Sequence, residues 1–140
     1  MRHHTIPRIV TKLLIPLILL FGLYVQFHGD FSAGGGFQAG VIFAAGFILY
    51  NIIFGLDIGK SILSVNTSKS LMALGVILYL MVGFLGILLG GNFLEYNYLS
   101  NTPINGQLLG IFLVELGVGL TVSNVMVLVF YSFNDISEEK

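Results

Sequence analysis

The sequence has no cysteine and no tryptophan, and only 9% of its 140 residues are charged. The lack of cysteine excludes a disulfide scaffold, a thiolate metal site and a cysteine nucleophile. Soluble domains carry roughly 25% charged residues, so this chain has too few to cover a surface that faces water. Six Lys and Arg against seven Asp and Glu leave a net charge of −1. That balance argues against a nucleic-acid partner, because neutralising phosphates takes clustered basic side chains. His3, His4 and His28 are the only histidines, and with scattered carboxylates they make a poor inventory for a metal. No candidate span holds the two internal histidines that bis-His haem ligation uses, so neither a metal nor a cofactor is expected. No nucleophile, base and orienter fall together, and an enzyme is not expected either.

What the chain does have is 56% hydrophobic residues, arranged in runs without charge. Lys12 and Asp30 enclose 17 uncharged residues, Asp30 and Asp57 enclose 26, and Lys69 and Glu95 enclose 25. The last apolar region, between Glu95 and Asp135, is interrupted once, by Glu115. A helix needs about 20 mostly apolar residues to cross roughly 30 Å of hydrocarbon. Each gap therefore holds one span, over about residues 9–27, 37–54, 71–90 and 108–133 of a single membrane domain. A membrane β-barrel would alternate apolar and polar residues along each strand, whereas residues 71–91, LMALGVILYLMVGFLGILLGG, are apolar on every face. The expected fold is all-α, a polytopic membrane protein of four transmembrane helices in the lipid bilayer.

Orientation follows from the basic residues. Arg2, Arg8 and Lys12 precede or open the first span, Lys60 and Lys69 follow the second, and Lys140 ends the chain. Asp30 and Glu95 occupy the other two loops, which have no basic residue. The positive-inside rule then puts both termini in the cytoplasm, N-in and C-in. Tyr24, Tyr96 and Tyr98 fit an outer interfacial belt and Tyr50 and Tyr131 an inner one, while Tyr79 falls mid-span. The basic start followed by an apolar run resembles a signal peptide, but Phe31 stands where a cleavage site before Gly34 would need a small residue. Pro16 is expected to bend the first span.

Two features stand apart from this frame. The first is residues 27–40, FHGDFSAGGGFQAG, which joins the first two spans. Gly34, Gly35 and Gly36 permit close backbone approach, and Gly36, Gly40 and Ala44 recur every fourth residue as a small stripe that lets membrane helices touch. Either the segment is a tight hairpin leading into a well-packed helix, or its exposed backbone, with Gly34, Gly35, Gly36, Phe37 and Gly40, meets a partner subunit or an ion path. His28 and Asp30 could pair at the outer mouth. The second feature is Glu115. A carboxylate at membrane depth costs about 2.5–3.5 kcal/mol on insertion scales and usually faces a bundle interior or water. Gly119 and Ser123 share its helical face, and Gln107 lies two turns earlier. Glu115 is either a packing residue or an ion-path group capable of reversible protonation. Asn51, Ser123 and Asn124 are expected to form hydrogen bonds between helices.

The glycine segment from His28 to Gly40, followed by residues 106–119, GQLLGIFLVELGVG, resembles the MnhB (MrpB) family, small subunits of the Mrp-type (Mnh) multisubunit cation/proton antiporters. The likeness spans nearly the whole chain. It departs from the family pattern at Ala33, where a proline commonly precedes the glycines, and at Asp30, where a histidine commonly follows Gly29. The resemblance implies a small membrane subunit of a Na+/H+ antiporter, with other membrane subunits as partners and Na+ and H+ as the ions. It implies a share in assembly and in the cation or proton path. The alternative is a purely structural subunit of a related hydrogenase-like or respiratory ion-pumping complex. A homo-oligomeric transporter of the four-helix multidrug type matches in size, but its carboxylate lies in the first span, where this chain has none.

Overall fold

The computed structural model describes residues 5–29 and 34–138; Asp30 and Ala33 therefore lie outside the described residues. The elements are α1 (Thr5–Phe27), α2 (Gly36–Phe54), α3 (Leu56–Ile62), α4 (Val65–Leu88), a short 3-10 helix (Tyr96–Leu99) and α5 (Pro103–Glu138). Among the described residues the regular structure is entirely helical. Four of these helices, α1, α2, α4 and α5, are long and apolar enough to cross a membrane. The helices reach beyond the runs marked by hydropathy: α1 begins at Thr5, α4 at Val65 and α5 at Pro103. Helix α1 continues through Pro16.

Local chemistry sets the joints. Helix α2 ends where Gly55 takes a φ of 105° and its N–H donates to Asn51 O at 2.9 Å. Helix α4 starts on Ser64, whose hydroxyl accepts from Thr67 N at 3.1 Å, an N-cap that satisfies one of the helix's orphan donors. The joint between α2 and α4 is held from below by Tyr131 of α5, whose hydroxyl donates to Leu63 O at 2.9 Å. Tyr131 is 1% exposed. It is thus a core residue packed with Ala44 and Val127, not the interfacial ring expected from its position near a span end.

Helix α5 packs on both α2 and α4, α1 packs on α2, and the end of α1 also reaches α5, where Phe27 stacks on Phe112. Small residues mark each seam. A methyl group on Gly22 of α1 would stand 3.3 Å from Ile42 and Phe43, and one on Gly46 of α2 would stand 3.3 Å from Ile18, so α1 and α2 run antiparallel. Gly36 and Gly40 of α2 meet Glu115 and Gly119 of α5 in the same order, so these two run parallel. Gly75 of α4 meets Gly117 and Thr121 of α5, and the Thr121 hydroxyl lies 3.4 Å from Met72 O. In lipid there is little hydrophobic drive between helices, so close contact between small residues holds them. Ser123 and Asn124 contribute less across the seams than expected, whereas Asn51 of α2 also meets Tyr131 of α5 through a side-chain hydrogen bond. All three side chains bond carbonyls of their own helices, Asn51 to Phe47 at 2.8 Å, Ser123 to Leu120 at 3.1 Å and Asn124 to Leu120 at 2.7 Å, the local bonding that short polar side chains offer in helices.

The start of α1, the end of α5 and the α3 joint gather at one end, here the terminal end. Lys60 bonds Asp135 there at 2.8 Å, and Arg8 lies 5.3 Å from the Phe54 ring centroid. At the distal end, the 3-10 helix lays Tyr96 on Gly110 of α5. Burial, with a smaller push from Tyr79, raises the Tyr96 phenol above its ordinary value of 10.0.

Gly75 and Gly117 test the α4–α5 seam. A methyl on Gly75 would stand 2.6 Å from Gly117 O, and one on Gly117 would stand 2.8 Å from Gly75 O. Overpacking of such a contact costs about 1–3 kcal/mol. Gly75→Val is therefore expected to lower the thermal unfolding temperature of the purified protein in detergent. Leu74→Ala, at an exposed position, is expected to leave it nearly unchanged.

Candidate functional site

The glycine segment and Glu115, separated by some 80 residues of sequence, meet in the fold. Glu115 is half-buried, and its carboxylate lies against the backbone of Gly29 and Gly35. A methyl on Gly29 would stand 2.6 Å from Oε1 and 2.7 Å from Oε2; one on Gly35 would stand 2.8 Å from Oε1. Gly35 also has a φ of 128°, a conformation open to glycine and strained for other residues. At Gly36 the approach is to the backbone: a methyl there would collide with Glu115 O. Glu115 is engaged in this position, not free.

This cradle coincides with the start of α2. Gly35 is the N-cap of α2 and provides no side-chain hydrogen bond. The first N–H groups of a helix have no partner within it, and the dipole puts partial positive charge there. The carboxylate of α5 thus lies beside the positive end of α2, where an anion is favoured. One turn further along, Gly119 carries the seam onward. A methyl on it would stand 3.1 Å from Gly36 O and 2.9 Å from Gln26 Oε1, and one on Gly40 would stand 2.7 Å from Gly119 O.

The depth of the site follows from α5 itself. Glu115 lies 12 residues after Pro103, about 18 Å along the axis at 1.5 Å per residue. It lies 20 residues before Asp135, about 30 Å. Gly29 and Gly35, at the two described ends of the α1–α2 connection, therefore lie at the level of Glu115, about 18 Å from the start of α5. Irregular backbone at such depth is tolerated where protein or a water-filled cavity covers it, and here α5 covers it.

The other residues singled out by sequence fall into place around this contact. Gly34 packs on Val25, 3.1 Å from its carbonyl oxygen to a built methyl. Gly35, Gly36 and Gly40 are buried against α5 of the same chain, and Phe37 is 55% exposed, so of the set it alone presents a large side chain outward. His28 Nδ1–H donates to Tyr24 O at 3.1 Å, and its ring stacks on Tyr24 with centroids 4.1 Å apart. Asp30, its expected partner, is outside the described residues. Gln107 belongs to the distal end, where its Nε2 donates to Asn97 Oδ1 at 2.9 Å. Ser123 bonds within α5.

One polar residue of the site was not singled out from sequence. Gln26, near the end of α1, is 4% exposed. Its only sequence signal is an uncharged amide at the end of an apolar run, where a residue facing the interface looks the same.

A family model described as a domain related to MnhB subunit of Na+/H+ antiporter matches residues 6–128. The chain belongs to this family. Two curated relatives, both named as antiporter subunit mnhB2, cover it almost end to end. That of Staphylococcus haemolyticus (strain JCSC1435) is 36% identical over 134 residues, covering 91% of this chain and 92% of its own length. That of Staphylococcus aureus (strain Newman) is 35% identical over 130 residues, with the same coverage. Membership of the MnhB family makes this chain a subunit of a multisubunit antiporter, with other membrane subunits as partners.

Within this MnhB-family chain, the two kinds of contact at the cradle predict different costs. Gly29→Ala displaces only the far end of the Glu115 side chain, whereas Gly36→Ala collides with backbone. Gly36→Ala is expected to be the more destabilising of the two in thermal unfolding, by about 1–3 kcal/mol. Equal stability of the two variants would show that α2 and α5 do not meet at Gly36.

Proposed function

We propose that this chain is a four-span subunit of a Na+/H+ antiporter of the prokaryotic cell membrane, with both termini cytoplasmic, and that Glu115 serves the passage of protons or cations through the complex. The single observation that carries this reading is the placing of the Glu115 carboxylate at the start of α2, against Gly29 and Gly35. A charge at membrane depth needs groups prepared to meet it, and glycine brings backbone closer to a carboxylate than any other residue allows. A site of this kind, with a helix starting at an ion-binding group, is a recurring device of membrane transporters. Alternating access relies on a larger or repeated bundle than one four-span chain with one such carboxylate, so the remaining machinery belongs to partner subunits. The gathering of Arg8, Lys12, Lys60 and Lys69 near the terminal ends of their helices supports the cytoplasmic assignment.

A second reading has an observation of its own. The glycine stripe is used within the chain, and Glu115 closes the α2–α5 seam, so a purely structural role in assembly is a coherent alternative. Glu115→Gln and Glu115→Ala separate the two. In vesicles containing the assembled complex, the transport reading expects each variant to lose at least about tenfold in antiport, with the subunits still co-purifying. Normal antiport per assembled complex would remove Glu115 from the ion path. Loss of assembly in native gels, with normal turnover in whatever complex remains, would favour the structural reading.

A further inference from the structure

Tyr79, the tyrosine that falls mid-span, has no part in the site around Glu115. A methyl on Gly117 of α5 would stand 3.2 Å from Tyr79 N, which puts the two residues at one level. Tyr79 lies 14 residues after Val65 and nine before Leu88, about 21 Å and 14 Å along α4. Hydrocarbon at that depth holds no water to meet a hydroxyl. Among the described residues the Tyr79 hydroxyl has no hydrogen bond, although a tyrosine removed from water usually finds one.

Tyr79 opens onto a groove between α4 and α5. Its distal part, of about 170 Å³, is lined by Val76, Tyr79, Val118 and Val122, with Gly117 and Thr121 at its floor. Its terminal part, of about 440 Å³, is lined by Met72, Val125, Val129, Ser132 and Phe133. On α5 these residues recur at steps of three and four, so both parts follow one stripe of that helix. From Val118 to Phe133 the stripe runs about 22 Å. Its other hydroxyls are satisfied within the chain, Thr121 by Gly117 O at 2.8 Å and Ser132 by Leu128 O at 3.0 Å. The groove is thus apolar along its length, with one unmet donor near its distal end. A lipid acyl chain fits the apolar part but accepts no hydrogen bond. A helix fits it too, and brings oxygen with it, as a side-chain hydroxyl or amide or as a carbonyl bared beside a small residue.

We infer that a transmembrane helix of another subunit of the antiporter docks in this groove, and that the Tyr79 hydroxyl donates to an oxygen of that helix. The inference rests on the chain being one subunit of a membrane complex, and not on the role of Glu115. A length of about 22 Å takes some 15 residues of helix, most of one span. Val76 and Val129, 43% and 46% exposed, supply apolar contact along it, of the kind that joins helices in lipid.

The test uses the purified, assembled complex in lipid. A photo-crosslinking side chain is placed in turn at Val76, at Val129 and at Leu74, which lies about half a turn around α4 from Val76. Val76 and Val129 are expected to form an adduct with one and the same other subunit, identified by mass spectrometry, and Leu74 is expected not to form it. Adducts with lipid alone, an adduct between two copies of this chain, or the same adduct from Leu74 overturns the inference. Tyr79→Phe keeps the ring and removes the hydroxyl. It is expected to speed the loss of this chain from the complex in detergent about threefold or more, the effect of one hydrogen bond between membrane helices. The unfolding temperature of the chain by itself is expected to stay the same. An unchanged rate of loss overturns the hydrogen bond to the partner, and with it the reason to prefer a helix over lipid. If Tyr79→Phe does not assemble, the crosslinks from Val76 and Val129 decide. Antiport by a Glu115→Gln complex, normal or lost, bears on the transport role alone and leaves the crosslinks as they stand.

Discussion

A carboxylate placed among apolar helices has to be met by polar groups from its own fold, and here it is met by backbone. Glu115 reaches from α5 to the start of α2, where Gly35 and Gly36 leave the first turn uncovered by side chains. That contact fixes where α2 begins and how closely α2 approaches α5. Gly40 on Gly119 continues the same seam one turn further. Side chains at Gly35 or Gly36 would part the helices, and with them the carboxylate from the helix end that receives it.

The packing of the helices gives this contact its setting. Helix α5 packs on α2 and α4, α1 packs on α2, and the end of α1 reaches α5 through Phe27 on Phe112. Leu13, Leu20, Ile77 and Phe84 are among the large apolar side chains left exposed, as is normal for spans in hydrocarbon. The chain brings one carboxylate to backbone of its own helices, and its membership of an antiporter-subunit family agrees with a part that works among other subunits.

Much of the fold could be read from sequence because charge is expensive in hydrocarbon, so the gaps between Lys12, Asp30, Asp57, Lys69 and Glu95 mark the spans directly. Helix ends were harder. Pro103 starts α5 several residues before hydropathy alone suggests, because a helix continues into the polar interface once its backbone bonds are made. The small helix α3 at Leu56–Ile62 has too little periodicity to announce itself. The glycine segment and Glu115 were each visible as exceptions to local rules, but nothing local says that they touch. That contact depends on α2 and α5 running parallel, a property of the whole topology. Tyr131 illustrates the same limit: a tyrosine near a span end reads as interfacial, and only the α3 joint above it turns it into a core residue. Gln26 was not legible at all, because a buried amide and an exposed one have the same sequence.

The juxtaposition of Glu115 with the glycine backbone can be measured without any substitution. Solid-state NMR on labelled protein in lipid bilayers reports carbon pairs within a few ångströms of one another. A through-space cross-peak is predicted between the Glu115 carboxyl carbon and the Cα atoms of Gly29 and Gly35. A spectrum in which that carboxyl carbon correlates with lipid or water alone, with no glycine cross-peak, would contradict it.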